Sequence, residues 1–313
     1  MSLIFSICIF IIAYFLGVKY RVLPFYFVQE TFSIGLFEGN SPLSLIESKK
    51  IVNPIIKQTN VSSFPCRFVA DPFLYNYNSK WFIFYEAMDM KTQRGRICCS
   101  YSSDLQNWHY KGIAIAENFH LSYPYIFEYN GKIFMIPETS RKFEVRLYEC
   151  CNFPDKWEFK HVLLRGRYTD PSIILYNDTL YLFLTETGSN ILRLFYSDKL
   201  IKDWIEHPDS PIVVDDKGKA RSAGKIITFE NRLYRFSQDC TNIYGESVRA
   251  HKIIKLNNIE YFEEEYSKNP ILQPTGKGWN SHRMHHLHAI EEASGNWIAA
   301  VDGLERKRGF FIN

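Results

Sequence analysis

Residues 122–140 read SYPYIFEYNGKIFMIPETS. Two alternating apolar runs flank Tyr129-Asn130-Gly131-Lys132. Asn-Gly supplies positive φ at both central positions of a tight hairpin turn, and alternation with period two marks a strand with one buried face. The stretch is a β-hairpin that opens on a small or polar residue followed by Pro.

The same pattern recurs. ADPFLYNYNSKWFIFYEAM (70–88), TDPSIILYNDTLYLFLTET (169–187), RSAGKIITFENRLYRFSQDC (221–240) and HHLHAIEEASGNWIAAVDGL (285–304) are further copies. Each of the first four is followed by an Arg-containing third strand and an aromatic fourth strand, as in VRLYECCNFPDKWEFKHVLL (145–164). The copies start at Asp71, Tyr123, Asp170, Ser222 and His286, at intervals of 52, 47, 52 and 64 residues. Four short strands repeated with a period near fifty are the signature of a β-propeller. The expected fold is all-β, a five-bladed β-propeller over 23–313, preceded by a short apolar helix. The fifth copy offers only two strands, so Thr31 to Glu38 (TFSIGLFE) is expected to supply a missing one and close the ring, which removes exposed edges.

Composition agrees with a globular β protein. The 313 residues are 46% hydrophobic and 23% charged, and aromatics reach 16%, with 20 Tyr and 25 Phe. Aromatics favour strands, and flat rings suit sugar stacking. Lys+Arg 37 against Asp+Glu 34 gives net +3, too even for a protein that holds nucleic acid by neutralising phosphates. Seven cysteines include two adjacent pairs, Cys98-Cys99 and Cys150-Cys151. Neighbours in a strand point to opposite faces, and no C-x-x-C spacing suggests zinc, so reduced thiols in the cytoplasm are expected.

Residues 1–22 form a separate apolar segment. Leu3 to Val18 (LIFSICIFIIAYFLGV) is almost wholly apolar and is followed at once by Lys19 and Arg21. A secretory signal carries its charge in front. Basic residues behind the run place the body on the cytoplasmic side, so a membrane anchor over residues 3–18 is one expectation. The other is a buried strand or helix, or the remnant of an upstream domain.

In a propeller the first strand of each blade lines the axis, and the starts of those strands converge on one mouth. Asp71 and Asp170 each precede a Pro and an apolar strand. Two carboxylates on one cavity can have their pKa values driven apart, one acting as base and one as acid. A turn-capping role for either is the alternative. Glu138 and Asp239 end second strands. They are further substrate-binding candidates, although a second-strand end is expected to lie at the opposite end of the blade from a first-strand start. His282, His285, His286 and His288 cluster, but no H-E-x-x-H is present and no carboxylate lies in the run. Hydrogen bonding of His285 and His286 to a sugar or phosphate is expected rather than a metal, and no cofactor is expected. His120 precedes blade two and is a similar candidate. Tyr123 and Tyr125 are candidates for stacking. Arg96, Arg146, Arg193 and Arg249 recur at third-strand positions and read as blade-to-blade contacts. Arg221 differs: it enters blade four, where a guanidinium could grip a phosphate or carboxylate.

FVADPFLY (68–75), HLSYPYIFEYNGKIFMIPET (120–139), VRLYECCNFPDKWEF (145–159), LRLFYSDKLIKDWIEHPDSPI (192–212), QDCTNIYGESVRA (238–250) and GWNSHRMHHLHAIE (278–291) carry a resemblance. The chain resembles, from about Phe32 to Gly303, the N-terminal domain of plant glucosamine inositolphosphorylceramide transferase and its bacterial relatives. That family is similar to the five-bladed propellers of family 43 and family 32 glycoside hydrolases and of mannoside phosphorylases. The resemblance implies carbohydrate chemistry on a sugar or glycan substrate. It matches Asp71 to the hydrolases' base or nucleophile and Asp170 to the residue that tunes the acid or orients substrate. The hydrolases' acidic Glu has no counterpart in Ala220-Arg221-Ser222-Ala223-Gly224. A basic residue there suits a nucleotide-sugar donor, so a glycosyltransferase of cell-surface polysaccharide or glycolipid assembly is the leading expectation. A hydrolase or phosphorylase of the same fold, or a glycan-binding module without catalysis, is the alternative.

Overall fold

The computed structural model describes residues 2–19 and 25–311. Residues 25–311 form five four-stranded antiparallel sheets, the blades of a propeller. Blade one holds strands Cys66–Tyr77, Lys80–Asp89, Arg94–Ser102 and His109–Ile115. Blades two, three and four repeat that order, with first strands Ser122–Tyr129, Tyr168–Tyr176 and the short Ile227–Phe229. Blade five is composite. Leu287–Glu291 and Trp297–Phe311 come from the chain's end, and Phe25–Gly39 and Ile46–Glu47 from its beginning. Phe25–Gly39 pairs with Trp297–Phe311 along its full length, from Phe25 opposite Phe311 to Gly39 opposite Trp297. That pairing closes the circle and leaves no open inner edge.

Hairpin chemistry repeats as written in the sequence. Asn78-Ser79, Asn130-Gly131, Asn177-Asp178 and Glu230-Asn231 all have positive φ at both positions. This is the turn whose twist matches the flanking strands.

The aromatic excess is spent between blades. Phe153 of blade two packs among Tyr75, Tyr77, Phe82 and Phe84 of blade one, and Trp157 meets Phe84 edge-on at 5.5 Å. Burying such a ring stabilises the fold by roughly 1.5–3 kcal/mol each. The four repeated arginines act inside blades, contrary to the expectation of blade-to-blade contacts. Arg96 pairs with Asp89, Arg146 with Glu144, Arg193 with Glu186 and Arg249 with Asp239. Arg96, Arg193 and Arg249 tie a third strand to the carboxylate that ends the second, whereas Arg146 pairs within its own strand and also reaches Glu117, in the connection from blade one, at 3.6 Å.

The N-terminal helix spans Ser2–Lys19. Among the described residues no helix is long and apolar enough to cross a membrane.

Candidate active site at one mouth of the axis

Three first strands open on the same irregularity. In blade one Ala70 faces Glu86 and Phe73 faces Phe84, so Asp71-Pro72 stands against one residue. Tyr123-Pro124 and Asp170-Pro171 are bulged in the same way. The first residue of each pair is left-handed, with φ of 53° at Asp71, 46° at Tyr123 and 50° at Asp170. Aspartate tolerates this region, but tyrosine does so at a cost of order 1–3 kcal/mol. The bulge turns each side chain inward to the axis.

These blade starts meet. The Tyr123 backbone N–H donates to Asp71 Oδ2 at 3.2 Å, and His286 Nδ1 lies 3.9 Å from Asp71 Oδ1. Gln238 Nε2 donates both to Asp170 Oδ2 at 3.1 Å and to the carbonyl of Ser222 at 3.0 Å. Above them opens a cavity of about 680 Å³ whose lining includes Asp71, Glu86, His120, Glu138, Arg221, Tyr244 and His285.

Second-strand ends lie at this same mouth, which corrects the expectation that they lie opposite. A hairpin reverses the chain, so the end of the second strand pairs with the start of the first: Ser122 faces Glu138. Counting six residues on from Lys80, Lys132, Thr179, Arg232 and Asn296, each just past a hairpin turn, gives Glu86, Glu138, Thr185, Gln238 and Asp302. All five of this column are buried polar groups that sequence reasoning missed or undervalued: Glu86, Glu138, Thr185, Gln238 and Asp302. Asp239 is one residue beyond it and is absent from the cavity lining. It pairs with Arg249 at 3.5 Å and caps the N–H of Thr241 at 3.0 Å.

Asp302 organises the acidic side of the site. It is fully buried and accepts backbone N–H groups from Asp71 at 3.2 Å and from His285 and His286 at 3.0 Å each. His285 lies between two carboxylates, with Nε2 3.3 Å from Asp71 Oδ1 and Nδ1 3.0 Å from Asp302 Oδ2. Burial disfavours the imidazolium, but Asp302, Tyr244 and Asp71 outweigh it and hold His285 well above the ordinary histidine range. Burial likewise opposes the Asp71 carboxylate, yet His285, His286 and Arg221 bring it down to about 2. Asp71, His285 and Asp302 offer ligand atoms within 4.8 Å of one another and are the set among the described residues able to surround a cation.

The remaining carboxyls go the other way. Burial pushes Glu86 well above its usual range, helped by the charges of Asp71, Glu138 and Asp170 and opposed by His285. Glu138 is raised by burial against the pull of Arg221, Ser140 and Ser122, whose hydroxyls donate at 2.7 and 3.3 Å. Asp170, buried below the lining, accepts Arg221 Nε at 2.5 Å. Burial raises it to about 7 against Arg221, with Glu138 and Asp71 adding to the rise. A guanidinium stays charged, so the carboxyl is the member of this pair that titrates. Arg221 also lies over the Tyr244 ring at 4.9 Å. His120 accepts the Gly95 N–H through Nδ1 at 2.9 Å and brings Nε2 to 3.6 Å from Glu86. Burial lowers its pKa, keeping it neutral.

Tyr123 and His286 are fully buried and outside the lining, and Tyr125 is equally sealed. Tyr123 crosses the axis. Its hydroxyl donates to the Gly224 carbonyl at 2.9 Å, accepts the Gly224 N–H at 2.8 Å and lies 2.9 Å from Ser172 Oγ. These rings form the floor beneath the cavity and offer no face to a ligand. The rim carries Arg94, Arg141 and Arg167, all exposed. None of the three forms an ion pair among the described residues.

A family model described as "Glucosamine inositolphosphorylceramide transferase 1, N-terminal" matches residues 28–304. The chain is 36% identical over 300 residues to the glucosamine inositolphosphorylceramide transferase 1 of Oryza sativa subsp. japonica, covering 88% of this chain and 40% of that protein. The Arabidopsis thaliana protein of that name is 33% identical over 298 residues, covering 88% and 39%. The chain thus spans about 40% of the length of the curated relatives it matches. Among solved structures, a β-1,2-mannobiose phosphorylase from Listeria innocua superposes with a TM-score of 0.63 at 12% identity, over 85% of this chain and 96% of that one. A thermostable family-43 glycoside hydrolase gives 0.57 at 17% identity, over 82% and 92%. At such identities the likeness shows the five-bladed fold alone.

Proposed function

Because the chain belongs to the family of the glucosamine inositolphosphorylceramide transferase 1 N-terminal region, we propose that its axial cavity is a carbohydrate-active centre carrying out glycosyl transfer in the assembly of a surface glycan or glycolipid. One observation carries this reading: Asp71, whose carboxyl is held down to about 2, shares a saccharide-sized cavity with Glu86 and Glu138, whose carboxyls burial pushes up. Groups of one type driven apart in pKa are the mark of divided acid–base roles. Asp71 faces the acceptor hydroxyl as its proton acceptor. A carboxylate held near 2 is a weak base, so its larger effect is electrostatic, stabilising positive charge that develops at the anomeric carbon. Arg221, positioned by Asp170, and the rim arginines suit an anionic leaving group such as that of a nucleotide sugar.

A second reading is favoured by Glu138 itself. A neutral carboxyl is the form that protonates a glycosidic oxygen, the acid missing from the entry to blade four. Hydrolysis or phosphorolysis would use it. Incubating the purified protein with radiolabelled nucleotide sugars, with sugar 1-phosphates and acceptors, and with aryl glycosides separates these readings. Transfer that vanishes in Asp71→Asn is expected. Glycan binding untouched by Asp71→Asn, with no product from any donor, would reduce the cavity to a binding site. The basic residues behind the apolar helix fit a body on the cytoplasmic face of a membrane.

A further inference from the structure

Blade five differs from the others above the mouth. Its second strand passes Asp302, at the level of the cavity, and continues to Phe311. The partner strand begins at Phe25, and the two pair in register from Phe25 opposite Phe311 to Thr31 opposite Glu305. At the strand rise of roughly 3.3 Å per residue, the six steps from Glu305 to Phe311 carry this two-stranded ribbon about 20 Å past the rim, which lies three residues beyond the level of Asp302. The second strands of blades one to four end by Asp89, Glu138, Glu186 and Asp239, within three residues of the same level.

The ribbon's sequence reads FYFV at 25–28 and GFF at 309–311, with Arg306, Lys307 and Arg308 just inside it. Just upstream lies the N-terminal helix. Ile4, Phe5, Phe10 and Phe15 are 65–78% exposed, and Ile7, Ile9, Ile11 and Ile12 are exposed as well, so apolar side chains surround it. A helix apolar on all sides belongs in an apolar medium, not in water. Six Cα steps join Lys19 to Phe25, and at ~3.8 Å per step the helix end lies within about 23 Å of the ribbon's outer end, wherever the helix points.

We propose that the helix and the ribbon together dock on an anionic lipid bilayer, with the cavity mouth on the bilayer side. The sequence pattern is that of a membrane interface: apolar and aromatic residues with basic residues close by in the sequence, Lys19 and Arg21 behind the helix and Arg306, Lys307 and Arg308 in the ribbon, where Arg306 also pairs with Glu30 and Lys307 with Glu305. Such basic residues complement acidic head groups. Tethering fixes the side, because the ribbon leaves the propeller only at the mouth. The inference goes beyond the sugar chemistry and holds whichever reaction the cavity performs.

The test uses the full chain with a fluorophore incorporated at Lys91, exposed on the mouth side, or at Lys80, beside the hairpin turn at the far end of the same strand. Vesicles of phosphatidylcholine and phosphatidylglycerol in a 7:3 ratio carry an acceptor on their head groups. The protein is expected to co-sediment with these vesicles, less with pure phosphatidylcholine, and to transfer energy more efficiently from Lys91 than from Lys80. In Phe27→Glu/Phe310→Glu the difference between the two labels should fall at least twofold, with an unchanged melting curve. Equal transfer from both labels, stronger transfer from Lys80, or a dimer of the chain that ignores vesicles would overturn the proposal. The comparison of labels needs no variant, so it stands even if the double substitution misfolds.

Discussion

Replacing His285 by Gln removes the one positive charge that lies between Asp71 and Asp302. Asp71 now titrates near 2 rather than at the ordinary 3.8, and burial alone would raise it. Losing the imidazolium should therefore lift Asp71 by at least about 2 pKa units, each worth 1.36 kcal/mol. Breaking a buried ion pair by removing one partner costs about 3–5 kcal/mol, which sets the loss of stability expected at pH 6. The pH dependence gives the sharper signature. Asp71 has a depressed pKa in the folded state, so its contribution is present above 3.8 and fades as pH falls through about 2. His285 has a raised pKa, so its contribution is complete below 6.5 and fades as pH rises through its higher folded value. The stability difference between wild type and His285→Gln should grow as the variant's raised Asp71 ionises above pH 3.8, be largest near pH 6 to 6.5, and shrink on both sides. Urea unfolding at steps of half a pH unit measures it. A difference that stays constant from pH 2 to pH 10 would refute the charged sandwich.

Three other changes probe separate parts of the site. Glu138→Gln should slow turnover by roughly 10²–10⁴, as for loss of a general acid. It should also leave stability unchanged at low pH and raise it at high pH, because burial penalises only the ionised form; kinetics paired with thermal melts check both. Tyr123→Phe strands the Gly224 amide and carbonyl and should destabilise by about 1–3 kcal/mol, while a cavity ligand measured by calorimetry keeps its affinity, since Tyr123 lies beneath the lining. Gly224→Ala should abolish soluble expression: φ is 141°, and a Cβ would stand 1.8 Å from the Leu287 carbonyl oxygen where blades four and five meet.

The architecture was legible because it is a repeat of local signals. Asn130-Gly131, the Asp-Pro and Tyr-Pro openings and the alternating aromatics each specify a turn, a bulge or a strand, and repetition made their sum a ring. The site was legible only where it coincides with those signals, as at Asp71 and Asp170. Glu86 and Asp302 were missed because FYEAM and AAVDG look like ordinary strand ends; only counting six residues on from each hairpin turn lines them up with Glu138. Asp239 and Tyr123 were nominated by type and position, but what decides their availability is tertiary. Arg249 engages the first, and Gly224 with Ser172 engages the second. His285 and His286 are adjacent, yet one lines the cavity and the other is sealed under it, because neighbouring residues in an extended chain face opposite ways.

The Tyr123 crossing has a consequence for what the protein can handle. A ring of five sheets ordinarily leaves a hole along its centre, but here the hole is plugged, and the hollow is a cup with a single doorway. A polymer cannot be threaded through a cup. Under the proposed carbohydrate role, whatever enters this hollow must leave by the mouth through which it came.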